Sequence, residues 1–154
     1  MKLVLAGAGA LITLAIAAPS FGGIAAPSFG HSAPIVAKPI AVGTMQATTI
    51  QTGTGAVVLD RITVPHGGTF GWHTHGAPVA VVVTGGTLTV FDPSVGKCAP
   101  FQVSKGQSFV EPAGHVHLAR NDGKRAVTLY AMYLGLPSLK DANAEAKAPA
   151  GCNA

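Results

Sequence analysis

The sequence predicts an all-β domain, and three observations predict it. From Met45 onward, short runs rich in Val, Thr and Ile are separated by Gly, Pro, Asn and Asp at the close spacing of a sandwich or barrel. No stretch of that region carries the apolar period of an amphipathic helix. Charged residues are only 10% of the 154 and hydrophobic ones 48%, which excludes a disordered chain and favours a strongly apolar fold built on Gly and Pro turns. That length supports one domain with its own core, and so a single site.

Residues 1–17 read as a secretory signal. Lys2 precedes an uncharged apolar run, and Ala15-Ile16-Ala17 fits a cleavage site for small residues. The run from Leu3 to Ala18 falls short of the roughly 20 residues a spanning helix needs, so a retained membrane anchor is the weaker alternative. Export to the periplasm or medium follows, with no membrane contact after cleavage. Residues 18–44 form a Pro/Gly-rich leader, flexible by composition; the tandem copies IAAPSFGG and IAAPSFGH at 16–31 are too few for a repeat architecture.

Strands are expected near 45–52, 56–64, 70–75, 78–84, 87–91, 101–104, 107–111, 115–120 and 126–134, giving a domain over 45–135. Gly85-Gly86 predicts a tight antiparallel hairpin, and Asn121-Asp122-Gly123 a second turn before the last strand. The run PVAVVVT at 78–84 is apolar on both faces and predicts a strand buried on both sides. Residues 136–154 form a C-terminal tail with little apolar surface, mobile unless Cys152 bonds to Cys98. An exported chain with an even cysteine count permits that bond, and a free pair is the alternative.

The formal charge of +4 falls to +3 without Lys2, and its Lys and Arg are scattered rather than clustered. This gives no footprint for nucleic acid and tolerates anionic ligands.

The chemistry lies in two histidine pairs. Residues two apart on a strand share a face, so His73 projects with His75, and His115 with His117. Two such pairs could converge on one cation, because imidazole ligates Zn, Fe, Cu, Ni and Mn; unrelated pairs are the alternative. Trp72, of opposite parity, reads as packing, His66 as a loop residue, and Phe101 and Phe109 as core. Tyr130 and Tyr133 differ in parity, so at most one faces a pocket.

At these residues the chain resembles the cupin superfamily. Gly67, His73, His75 and Gly86 fit that family's first motif, and Gly106, Pro112, Gly114, His117 and Asn121 fit the second. The resemblance implies a single jelly-roll β-barrel around a divalent transition metal, with His73, His75 and His117 as ligands and Fe, Zn, Mn, Ni or Cu as candidates. It also implies a pocket for a small molecule, and makes pairing of two copies through outer strands available. The family's glutamate position is Val79, so the usual donor set is incomplete. Three neutral imidazoles leave the full charge of the ion, which favours an anionic ligand.

Two residues could fill the gap or transfer a proton. His115 is a pocket-lining residue or an added ligand. Glu111 precedes the Pro112-Ala113-Gly114 turn, which breaks strand parity, so its direction cannot be counted forward; a ligand, a residue orienting histidine, a base and a surface carboxylate all stay open. Two functions follow: an exported metal-binding cupin holding a small anionic ligand, or a metal-dependent oxidoreductase of the dioxygenase kind or an isomerase.

Overall fold

Buried valines at every second position define the central strand. Val79, Val81 and Val83 are buried while Ala80, Val82 and Thr84 are half-covered, the two-residue period of a strand with one face on the core. The expectation of cover on both sides is therefore corrected: the outer face of this strand has no sheet over it, and its apolar content reflects strand preference. The computed structural model describes residues 36–152 and 154; the signal segment 1–17, the leader as far as residue 35 and Asn153 lie outside the described residues. Pro39–Ala154 form one unit.

The strands are β1 (Ala56–Val64), β2 (Thr69–Thr74), β3 (Val79–Gly85), β4 (Thr87–Phe91), β5 (Phe101–Ser104), β6 (Ser108–Glu111), β7 (His117–Arg120), β8 (Val127–Leu136) and β9 (Ala144–Glu145), with a single 3₁₀ turn at Leu139–Asp141. They form two antiparallel sheets, ordered β1-β8-β3-β6 and β5-β4-β7-β2-β9. One core draws on both, with Val79, Val81, Val83 and Leu129 from the first and Leu88, Val90, Val103 and Ala119 from the second. The class is all-β, and the ladders of the described residues form two sheets without closing into one barrel.

Gly85-Gly86 does not close a hairpin. β3 and β4 belong to different sheets, so the turn is a corner between layers. Gly86 is required there: its φ is +74°, and a Cβ would meet the Ala126 carbonyl oxygen at 3.0 Å. Asn121-Asp122-Gly123 likewise carries the chain from β7 in one sheet to β8 in the other. A short glycine turn between two strands permits either outcome, and only the facing sheet decides. The strand expected at 45–52 is absent: Met45 and Ile50 are its only large apolar residues, too little to hold it on a core, and the bridge nearest to it joins Thr44, just before the segment, to Gln107.

The C-terminal segment is tied down. Cys98 and Cys152 form a disulfide with α-carbons 5.4 Å apart. β9 adds to the edge of β2, and Ala146 N–H donates to the Trp72 carbonyl. Trp72 itself packs with Phe91, Leu118 and the disulfide, on the opposite side of β2 from its histidine neighbour. Among the described residues no helix is long and apolar enough to cross a membrane.

Candidate metal centre

Register brings the histidines together. β2 and β7 pair so that His73 stands directly opposite His117, which places their side chains side by side on one face. His75 lies one residue past β2 and is held from two directions: its carbonyl accepts from Gly114 N–H at 2.8 Å, and Gly76 N–H donates to the Asp141 carbonyl at 2.8 Å. A Cβ on residue 76 would meet Asp141 at 2.9 Å, so glycine permits this close approach.

Each ring is turned the same way by a backbone carbonyl. His73 Nδ1 bonds to Gly71 O at 2.9 Å, His75 Nδ1 to Ala142 O at 2.6 Å and His117 Nδ1 to His115 O at 3.0 Å. A carbonyl only accepts, so every Nδ1 carries the hydrogen and every Nε2 is left for another partner. The ring centroids lie 4.3 Å (His73 to His117), 4.8 Å (His73 to His75) and 5.0 Å (His75 to His117) apart. One nitrogen from each falls within 4.8 Å of the others, and all three residues are buried. Three buried imidazoles grouped in this way could hold a metal ion.

Glu111, the last residue of β6, reaches into this cluster with a side chain only 11% exposed. Oε2 lies 3.1 Å from His75 Nε2, within hydrogen-bond distance. Oε1 is equally close to His117 Nε2, at 3.1 Å, yet lies off the direction of its N–H, so that buried nitrogen has no hydrogen-bond partner. Burial works to raise the Glu111 carboxyl, but the two imidazoles outweigh it and hold the group at about 2. Burial also works to lower His117, and the facing carboxylate outweighs it, so His117 is raised above 6.5. His73, further from the carboxylate, is lowered by its burial and by the neighbouring rings.

His115 does not join the cluster. Strand β7 begins only at His117, so the two-residue period that pairs the side chains does not reach back to it. Its side chain is 42% exposed, with Nδ1 3.5 Å from Asp92 Oδ2, and it serves the centre through its carbonyl. His66 is an exposed loop residue that bonds the Gly123 carbonyl through Nδ1 at 2.7 Å.

Sequence reasoning misses Ala142, whose carbonyl orients His75, because a backbone acceptor leaves no mark on residue type. It also leaves the choice of tyrosine open: Tyr133 is the one inside, its ring edge-on to His75 with centroids 5.6 Å apart. Beside the cluster lies a small cavity walled by Ile62, Phe70, Val81 and Leu129, with Tyr133 and Asn143 as further polar groups. Its dimensions suit a ligand of few heavy atoms.

Residues 60–133 match the cupin domain family. That stretch of the chain, just under half of it, carries a cupin domain. The polyketide cyclase RemF of Streptomyces resistomycificus is similar in structure, with a TM-score of 0.51 and 16% identity over 64% of this cupin and 66% of the cyclase. The DMSP lyase DddQ of Ruegeria pomeroyi DSS-3 gives a TM-score of 0.50 and 18% identity over 60% of this cupin and 44% of the lyase, so the chain spans less than half of that protein. A cupin domain of Bordetella pertussis Tohama I has 23% identity over 63% of this chain and 98% of its own, with a TM-score of 0.44. No curated protein sequence matches this cupin. At these identities the first two likenesses bear on the fold alone.

Proposed function

We propose that this cupin is an exported protein that holds a divalent transition metal through Nε2 of His73, His75 and His117 and presents it to a small anionic ligand in the adjoining cavity. The observation that carries this reading is the common orientation of the rings: three backbone carbonyls take three Nδ1–H groups, which leaves each Nε2 for another partner, in three buried residues that each offer a nitrogen within 4.8 Å of the others. The unpartnered His117 Nε2 supplies the fit, since a buried polar atom without a partner is costly and a metal would satisfy it. A bound divalent ion there supplies Lewis acidity toward an oxyanion. The chain's own part is to orient the rings, exclude water with apolar walls and limit ligand size. The Cys98–Cys152 disulfide supports an oxidising compartment, periplasmic or extracellular.

Metal analysis of untagged protein tests the ligand set. Wild type is expected to retain close to one equivalent of metal and both His73→Ala and His117→Ala almost none; wild-type content in both variants would sink the assignment. Cell fractionation tests export, with protein confined to the cytoplasm as the contrary result.

A second reading, a metal-dependent oxidoreductase or isomerase, is favoured by the Glu111 carboxylate inside the centre, where a proton acceptor would stand. His115, in the outer groove with Asp92, is the alternative proton carrier. Oxygen uptake by iron-loaded protein on a panel of small β-dicarbonyls, phenols and thiols separates enzyme from binder; turnover of any of them favours the enzyme.

A further inference from the structure

We propose that Glu111 is itself a metal ligand, its carboxylate completing the donor set from strand β6. The inference rests on the three-histidine centre proposed above and names its fourth donor.

Three observations lead there. The first is register. β6 and β3 pair with Glu111 directly opposite Val79, and Val79 on its other side stands opposite Tyr133. Glu111, Val79 and Tyr133 thus form a row across three strands on one face, toward the histidines. A carboxylate at Glu111 occupies the same layer as one at residue 79 would, one strand over.

The second is distance and direction. Glu111 stands 3.1 Å from both His75 Nε2 and His117 Nε2. Adjacent donors that share one ion at about 2.1 Å each stand roughly 3.0–3.4 Å apart, so the spacing already fits a common centre. At His117 Nε2 the carboxylate stands within hydrogen-bond distance but without the alignment of a regular hydrogen bond, so the contact leaves that nitrogen open to an ion between them.

The third is charge. Metal binding requires the histidines to be neutral. A buried carboxylate facing three neutral rings is a costly arrangement unless a cation is its partner. With Glu111 bound, one positive charge of a divalent ion is left over, which matches a monoanion rather than a dianion in the small apolar-walled cavity.

Cobalt(II) titration of the full chain tests the assignment, reading affinity and visible ligand-field bands together. The expected result for Glu111→Gln is shifted bands and an affinity loss beyond the roughly 10- to 100-fold seen when an outer hydrogen-bond partner is removed. The double variant V79E/E111Q, which returns a carboxylate to the facing position, is expected to recover much of that affinity. Bands for E111Q superimposable on wild type would overturn the proposal. Should E111Q fail to fold, as judged by its thermal transition, Glu111→Asp, one methylene shorter, carries the test: unchanged bands and affinity again overturn it. Failure of the underlying centre looks different, because wild type itself would then bind no cobalt, or His117→Ala would bind it as wild type does.

Discussion

At the residue scale, the buried Asn121 shows how one side chain fixes two turns. Its Nδ2 donates to the carbonyls of Val64 (2.9 Å), Pro65 (3.0 Å) and Arg125 (2.8 Å), while Oδ1 accepts from Gly123 N–H at 3.0 Å. Asn121→Ala strands these groups in a site with little water, so a loss of about 2–4 kcal/mol in denaturant unfolding is expected. The histidines give a pH prediction. In metal-free protein, NMR titration should place His117 above 6.5 and His73 below it. His117 contributes stability that is complete below 6.5 and fades as pH rises through its folded value. His73 acts in the opposite sense, favouring the fold above 6.5 and losing that contribution as pH falls. Glu111, held at about 2 against an ordinary 4.5, contributes stability that is complete above 4.5 and lost as pH falls toward 2. Acid unfolding of Glu111→Gln should therefore be flatter than wild type across that window. Metal occupancy falls with acid, as protons reclaim the imidazoles.

The same scale shows what the sequence makes legible. The His73–His75 spacing is informative because His73 lies in β2 and His75 only one residue beyond its end, so parity counted along the strand still holds. Parity cannot be counted through Pro112-Ala113-Gly114. The direction of Glu111 is set by its pairing with Val79, 32 residues away in sequence, and nothing local encodes that pairing.

At the scale of elements, the segment after Leu136 is a strap over the centre. Its 3₁₀ turn receives Gly76 N–H, Ala142 O orients His75, β9 pairs with the strand carrying His73, and Cys152 anchors the end. A loop of 54 residues closed by one disulfide contributes up to about 4 kcal/mol in the chain-entropy account. Reduction, or Cys152→Ser, should lower stability by an amount of that order in chemical denaturation and weaken cobalt binding as His75 loses its anchor. Unaltered cobalt affinity after full reduction would show that the strap is not needed to hold the ring. The sequence carries the condition, a tail held only if its cysteine is bonded, without the outcome. Sheet assignment is the other element-scale feature that local reading misses: Gly85-Gly86 turns the chain equally well within a sheet or between two.

At the scale of the whole molecule, fold class is the most legible property, because alternation and turn residues act everywhere along the domain and errors at single strands do not accumulate. The family motifs place three of the centre's residues for the same reason: strand, turn and spacing repeat a geometry that this chain retains. A global measurement follows from linkage. Metal at 100 times its dissociation constant should stabilise the folded chain by about 2.7 kcal/mol, raising the thermal midpoint by several degrees. His73→Ala should show no metal-dependent rise.

The position of Ala142 in the chain has a bearing on when the centre can form. A ribosome makes that residue after every histidine, and a secretion channel passes extended polypeptide, so an exported chain would cross with its imidazoles uncradled. Selection of the ion would then belong to the destination: whichever metal is abundant where oxidants close the final crosslink would be the one captured, whatever the cytosol contains.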